Sequence, residues 1–202
     1  MSPYLCTVKN NDEMKKVLTT IITIMAINSA ISAQNAEGIK RTAILGADPL
    51  GITLKDAVKE ALIEEGFEVT DITGNEQQDY YTVGYNVGKA ISEKQYDFGF
   101  LFCGTGMGVN LIANKFTGVH CALCESIETA RLSRVINNAN ILAMGGIVVT
   151  PYLGRQMVKA FVNAEFSKGF TEAPSDFLQG AFVKVEELGR EVAEYNYGKL
   201  EK

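Results

Sequence analysis

Residues Phe98-Gly-Phe-Leu-Phe-Cys103 run directly into Gly104-Thr-Gly-Met-Gly108, and this junction decides the fold. A strand with one wet face alternates polar and apolar positions, whereas this run is apolar throughout, so it reads as a strand buried on both faces. The glycines at 104, 106 and 108 make a tight turn that leads into a helix through about Lys115. A buried strand, a glycine turn and a helix, in that order, form one unit of a parallel sheet.

The same alternation continues on both sides. Upstream, Thr42–Ala47 is a short apolar strand closed by Asp48-Pro-Leu-Gly. Leu54, Val58, Ala61 and Leu62 then recur at helical spacing, and Gly66 ends that helix. Phe67–Ile72 reads as a second strand and Tyr80–Ser92 as a helix, in spite of Gly84 and Gly88. Downstream, Val119–Cys124 is a fourth strand, Ser126–Val135 a helix and Ile141–Met144 a fifth strand. Pro151 opens a helix to about Glu165, and after Pro174 an amphipathic helix covers 175–195. The expected fold is α/β: one three-layer αβα Rossmann-like domain over 39–202, with a five-stranded parallel sheet and an extra C-terminal helix.

Composition narrows the function. Of 202 residues, 47% are hydrophobic and 21% charged, so the chain is globular. Nineteen Lys and Arg against 24 Asp and Glu give −5, and no basic stripe is present, which argues against a nucleic-acid partner. Four cysteines are too few for a disulfide scaffold. Cys121-Ala-Leu-Cys124 is half of a zinc site without its other half, and His120 is the sole histidine, so no metal is expected.

The first 38 residues differ in character from the rest. Met14-Lys15-Lys16 precedes an apolar run from Val17 to Ile27, and small residues follow to Ala33. That order fits a secretory signal peptide with cleavage near Ala33, which would place the protein in the periplasm or outside the cell. The alternative is an N-terminal helix packed on a cytoplasmic protein. The run is too short for a stable membrane span, which needs about 20 apolar residues.

Asp48 and Cys103 close strands one and three, so in a parallel sheet both lie on one rim. A glycine-rich turn entering a helix presents backbone N–H groups that can hold an anion or a developing oxyanion, and a cysteine there has its thiolate favoured. Cys103 read alone is equally a small buried hydrophobe. Nicotinamide cofactors do not fit: the glycine spacing is G-x-G-x-G rather than G-x-G-x-x-G, and it follows strand three instead of strand one. No cofactor is expected.

The run Phe102-Cys-Gly-Thr-Gly-Met-Gly-Val-Asn-Leu-Ile-Ala-Asn-Lys115 resembles the C-G-T-G-x-G…A-N-K segment of the ribose-5-phosphate isomerase B and galactose-6-phosphate isomerase family. The similarity runs from about Arg41 to Glu165 and takes in Gly46-Ala-Asp48, Asp79-Tyr80, Ala130-Arg-Leu-Ser-Arg134, Asn138-Ala-Asn140 and Met144-Gly-Gly146. The resemblance implies an aldose–ketose isomerase in which Cys103 is the base that moves a proton between C1 and C2 through a cis-enediolate. It implies that Thr105 positions the thiolate and sugar, and that the Gly104, Gly106 and Gly108 backbone holds the enediolate oxygen. By the same resemblance Asp48, Tyr80, Asn137 and Arg134 contact the sugar. It further implies a homodimer or higher homo-oligomer, with each site assembled across the subunit interface.

Several departures from the family pattern bear on the substrate. Pro49, Ile136 and Ile147 stand where the ribose-type enzymes carry a histidine, the ring-opening histidine and an arginine, and Lys168-Gly-Phe170-Thr171 replaces their Gly-Gly-Arg-His. A phosphate dianion needs charge-assisted donors, so losing these together points to a sugar without a terminal phosphate. Asp48 and Glu125 are the remaining candidates for opening the ring. The alternatives are one subunit of a heteromeric sugar-phosphate isomerase, or a relative that only binds sugar.

Overall fold

The computed structural model describes residues 40–74 and 77–200. The expected signal peptide, with its cleavage point near Ala33, lies outside the described residues. Residues from Arg41 onward form one compact unit. Its strands are β1 (Thr42–Ala47), β2 (Glu68–Asp71), β3 (Phe98–Cys103), β4 (Cys121–Leu123) and β5 (Ile141–Gly145). Its helices are α1 (Ile52–Glu64), α2 (Tyr80–Ser92), α3 (Met107–Ala113), α4 (Ile127–Asn137), α5 (Pro151–Val162) and α6 (Ser175–Leu200).

All strand pairs are parallel, in the order β2-β1-β3-β5-β4. Alternate side chains feed two separate cores. Ala43, Leu45, Phe100, Phe102, Leu142 and Met144 pack under Leu54 and Val58 of α1, Phe161 of α5 and Ala130 of α4. Ile44, Leu101, Cys103, Ile141 and Ala143 pack under Val83 and Val87 of α2 and Val109 of α3. These are the three expected layers.

The edges of the sheet are shorter than expected. β4 begins at Cys121 rather than Val119 because side chains take over the pairing before it. The Asn140 carboxamide accepts from His120 N at 2.8 Å, and Asn114 both accepts from Cys121 N and donates to its carbonyl, each at 2.9 Å. The latter exchange also ends α3 before Lys115. A reciprocal capping box between Ser126 and Thr129 starts α4, which continues to Asn137. Helix α6 is longer than expected and touches the domain mainly near its start, where Leu178 is buried, Phe182 packs 5.1 Å from the His120 ring, and Glu186 meets His120 at 2.5 Å.

From β1 the chain passes to β2 on one side, and then to β3 on the other. The carboxyl ends of β1 and β3 therefore flank the point where strand order reverses, which is where open α/β sheets hold ligands.

Candidate active site

Cys103 ends β3 at this switch point, 5% exposed, with its side chain on the α2–α3 face. Its Sγ accepts the backbone N–H of Gly106 at 3.1 Å. Gly106 has φ 77, and this left-handed step turns its amide back toward the sulfur. A Cβ there would also lie 2.6 Å from Leu123 Cδ1 and 2.8 Å from the Met144 carbonyl carbon. Helix α3 has only seven residues, so what the turn offers the sulfur is this one placed N–H rather than a long helix dipole.

The turn is braced from β5. Gly146 N donates to Cys103 O at 2.8 Å and Ile147 N to Gly104 O at 3.0 Å. Gly145 is needed because the Thr105 backbone would lie 2.6 Å from any Cβ there. The Thr105 hydroxyl accepts a long bond, 3.4 Å, from Met107 N.

Asp48 is half-buried beside this turn, its own N–H donating to Phe102 O at 3.0 Å. One carboxylate oxygen, Oδ1, accepts from Leu50 N at 2.9 Å and Gly51 N at 3.1 Å, leaving Oδ2 as the oxygen that can meet a ligand. Tyr80 opens α2, and its ring lies so close to Gly108 that a Cβ would sit 2.5 Å from Tyr80 Cδ2. Asp48, Tyr80, Cys103, Thr105 and the three turn glycines thus share one rim.

Arg134 and Asn137 do not join them. The Arg134 guanidinium lies over the Phe98 ring at 5.2 Å. Phe98 begins β3 and Cys103 ends it, five strand steps or about 16 Å away. Arg134 donates to the Asn138 side chain and the Ala139 carbonyl, its buried Nε has no partner, and burial holds its pKa below the usual value. Asn137 ends α4 and lines a cleft of about 350 Å³ with Ile136, Phe177 and Phe182. Within one chain, neither reaches a sugar held at Cys103.

Around Cys103 the exposed rim is apolar. Leu50, Met107 and Ile147 are 61%, 54% and 69% exposed. Leu50 had no signal in the sequence; the doublet Gly145-Gly146 did, and Gly146 proves to be the residue against which the Leu50 carbonyl packs. Burial pushes Cys121 up to about 12 and also raises Cys124, so both stay protonated at neutral pH. Among the described residues, no three His, Cys, Asp or Glu side chains gather to hold a metal ion, and no helix is long and apolar enough to cross a membrane.

Comparison with known proteins identifies the family. Residues 43–175 match the family model described as Ribose/Galactose Isomerase. A 4-deoxy-4-sulfo-D-erythrose isomerase of Clostridium sp. (strain MSTE9) is 37% identical over 145 residues, covering 70% of this chain and 91% of the relative. A D-erythrulose-4-phosphate isomerase of Pectobacterium atrosepticum is 34% identical, covering 72% and 91%. The structure of ribose-5-phosphate isomerase B from Clostridium thermocellum superposes with a TM-score of 0.67 at 34% identity, over 75% of this chain and 99% of that one. The chain belongs to the ribose/galactose isomerase family, and its chemistry is that of an aldose–ketose isomerase.

Proposed function

We propose that Cys103 is the base of this isomerase and that it works on a short open-chain sugar lacking a terminal phosphate. The observation that carries the first part is the Gly106 N–H bond to Sγ at 3.1 Å, at the switch point of the sheet. The Cys103 thiolate takes the proton from C2 of the aldose, the C2–H electron pair forms the C1–C2 double bond, and the carbonyl oxygen becomes an enediolate oxygen. The Gly104–Gly108 backbone is the preorganised home for that charge. The proton on O2 then passes to O1, the freed O2 pair forms the C2 carbonyl, and the C1–C2 double-bond pair takes the thiol's proton at C1, giving the ketose, so no redox partner is needed. A nearly water-free sulfur keeps the proton on the substrate path. Asp48 Oδ2 and the Tyr80 hydroxyl take sugar hydroxyls, and Thr105 orients sulfur and sugar.

The substrate reading rests on Pro49, Ile136 and Ile147 standing where the ribose-type enzymes carry two histidines and an arginine, and on the apolar rim of Leu50, Met107 and Ile147 beside Cys103. It accords with the relative named for a sulfonated tetrose, since a sulfonate monoanion asks less of cationic donors than a phosphate dianion does. The separation of about 16 Å between the two ends of β3 favours a site shared between two copies, one giving Cys103 and the other Asn137 and Arg134. A related subunit in place of the second copy is the alternative arrangement; a Lactococcus lactis relative is named as a subunit, LacA, of galactose-6-phosphate isomerase. The signal peptide read at residues 14–33 would put this chemistry outside the cytoplasm, where sugar phosphates are scarce.

The test is proton exchange at C1 and C2 in D₂O, followed by NMR with the full chain. The panel holds free C4 to C6 aldoses, their phosphates and 4-deoxy-4-sulfo-D-erythrose. Exchange on free or sulfonated sugars and none on phosphates is expected. Faster exchange on the phosphates would overturn the substrate reading.

A further inference from the structure

We infer that Lys55, Asp71 and Thr73, none of which faces the sugar, are positioning residues that hold Asp48 against the Cys103 turn. The assignment rests on the reading of Asp48 as a sugar contact.

Two arms leave Asp48, and one ion pair joins them. On one side, Asp48 Oδ1 accepts from Leu50 N and Gly51 N, and the Gly51 carbonyl accepts from Lys55 N at 2.9 Å, the first turn of α1. On the other, Ala47, the residue before Asp48, donates its N–H to Thr73 Oγ1 at 2.9 Å, and Thr73 N donates to Asp71 Oδ1 at 3.1 Å. Lys55 Nζ then donates to Asp71 Oδ2 at 2.6 Å and closes the ring. Lys59 meets the same oxygen at 3.0 Å, and Asp56 meets Lys55 at 2.9 Å.

These residues are placed unusually for their type. Lys55 is 5% exposed and Thr73 3%, although lysine is seldom so covered. β2 is an edge strand, so beyond Asp71 the ladder no longer fixes the chain; Ile72 N makes one last bond to Leu45 O, and the Thr73 hydroxyl supplies the next contact itself. Burial alone would lower the Lys55 pKa, but its bonds to Asp71 and Asp56 outweigh that and raise it. For Asp71 burial acts upward, and the bonds from Lys55, Lys59 and the Thr73 amide bring it below its usual value. The pair stays charged across the neutral range, so the ring stays closed there. Asp48 needs such support because it lies on a turn, where a shift of about 1 Å is enough to spoil a contact to substrate.

The experiment uses Thr73→Val, Thr73→Ser and Lys55→Met in the full-length protein. Amide hydrogen exchange reads the turn without any substrate. Thr73→Val and Lys55→Met are expected to speed exchange at Leu50 and Gly51 at least tenfold, with Phe100 and Leu101 in β3 unchanged within twofold, and Thr73→Ser to restore the wild-type rate. Unchanged exchange at Leu50 and Gly51, or equal loosening throughout β3, would overturn the assignment. Kinetics on the best sugar of the panel add a cycle with Asp48→Asn. Thr73→Val should raise KM about tenfold with kcat within twofold, and this penalty should vanish when Asp48 is already Asn. A penalty that persists in the Asp48→Asn background means Thr73 acts on stability alone. An unchanged KM for Asp48→Asn itself removes Asp48 from the sugar, and amide exchange still decides whether the ring holds the turn.

Discussion

The Cys103 sulfur takes one backbone N–H at 3.1 Å, whereas burial drives the Cys121 thiol, on the neighbouring part of the sheet, up to about 12. What covers a group and what it is given to bind have to be read together. The same residue-level reasoning applies to the Lys55–Asp71 pair, whose side chains are 6% and 12% exposed. Removing one member of a buried pair strands the other. With Lys59 and Asp56 left as partial substitutes, Asp71→Asn should cost about 2 kcal/mol at neutral pH. Asp71 titrates below its usual 3.8, so its contribution is complete above that value and is lost as pH falls through the lower folded value. Lys55 titrates above 10.5, so its contribution is complete below that value and is lost as pH rises through the higher one. Urea denaturation of wild type and Asp71→Asn should therefore show a stability gap that is flat from about pH 5 to 9 and narrows on either side. A gap that widened in acid would contradict the assignment.

At the level of elements, the turn from β3 to α3 works because its glycines are not equivalent. Gly106 meets a Cβ clash with backbone on a left-handed residue, and neither can relax. Gly108 meets only the ring of Tyr80, which is 44% exposed and free to swing outward. Gly106→Ala should thus cost about 2–4 kcal/mol of stability and abolish turnover. Gly108→Ala should leave the melting temperature nearly unchanged and raise KM about tenfold, worth about 1.4 kcal/mol of binding. Thermal denaturation beside steady-state kinetics separates the two, and equal melting temperatures would refute the distinction. The central elements were legible because apolar runs and glycine breaks coincide: β1, β3 and α2 begin and end where periodicity places them. The ends of β4 and α3 were not, because the side chains of Asn114 and Asn140 replace ladder and helix bonds there, and hydropathy carries no record of such exchanges.

For the whole molecule, the parallel topology puts every strand's carboxyl end on one rim and every returning helix's end on the other. That is why the motif-bearing group of the candidate site (Asp48, Tyr80, Cys103 and Thr105) was legible as a cluster, whereas the positions of Arg134 and Asn137 were not. Their motif sits close to the others along the sequence but ends a helix that has run back across the sheet. If two copies share each site, Cys103→Ser and Asn137→Ala, each nearly inactive alone, complement one another. Random reassociation gives half hybrid dimers with one intact site of two, so the refolded mixture should recover about a quarter of wild-type activity. No recovery would confine the site to one chain and leave Asn137 outside it.

The most direct measurement of the central claim is NMR-detected exchange of the sugar C2 proton with D₂O, wild type beside Cys103→Ser, each at a concentration where sugar binding is also followed. If Cys103 is the base, the serine variant binds the sugar with near wild-type affinity and its exchange falls by at least about a thousandfold, within the range a placed acid–base group contributes. Exchange that survived the substitution, with binding intact, would show that another group carries the proton.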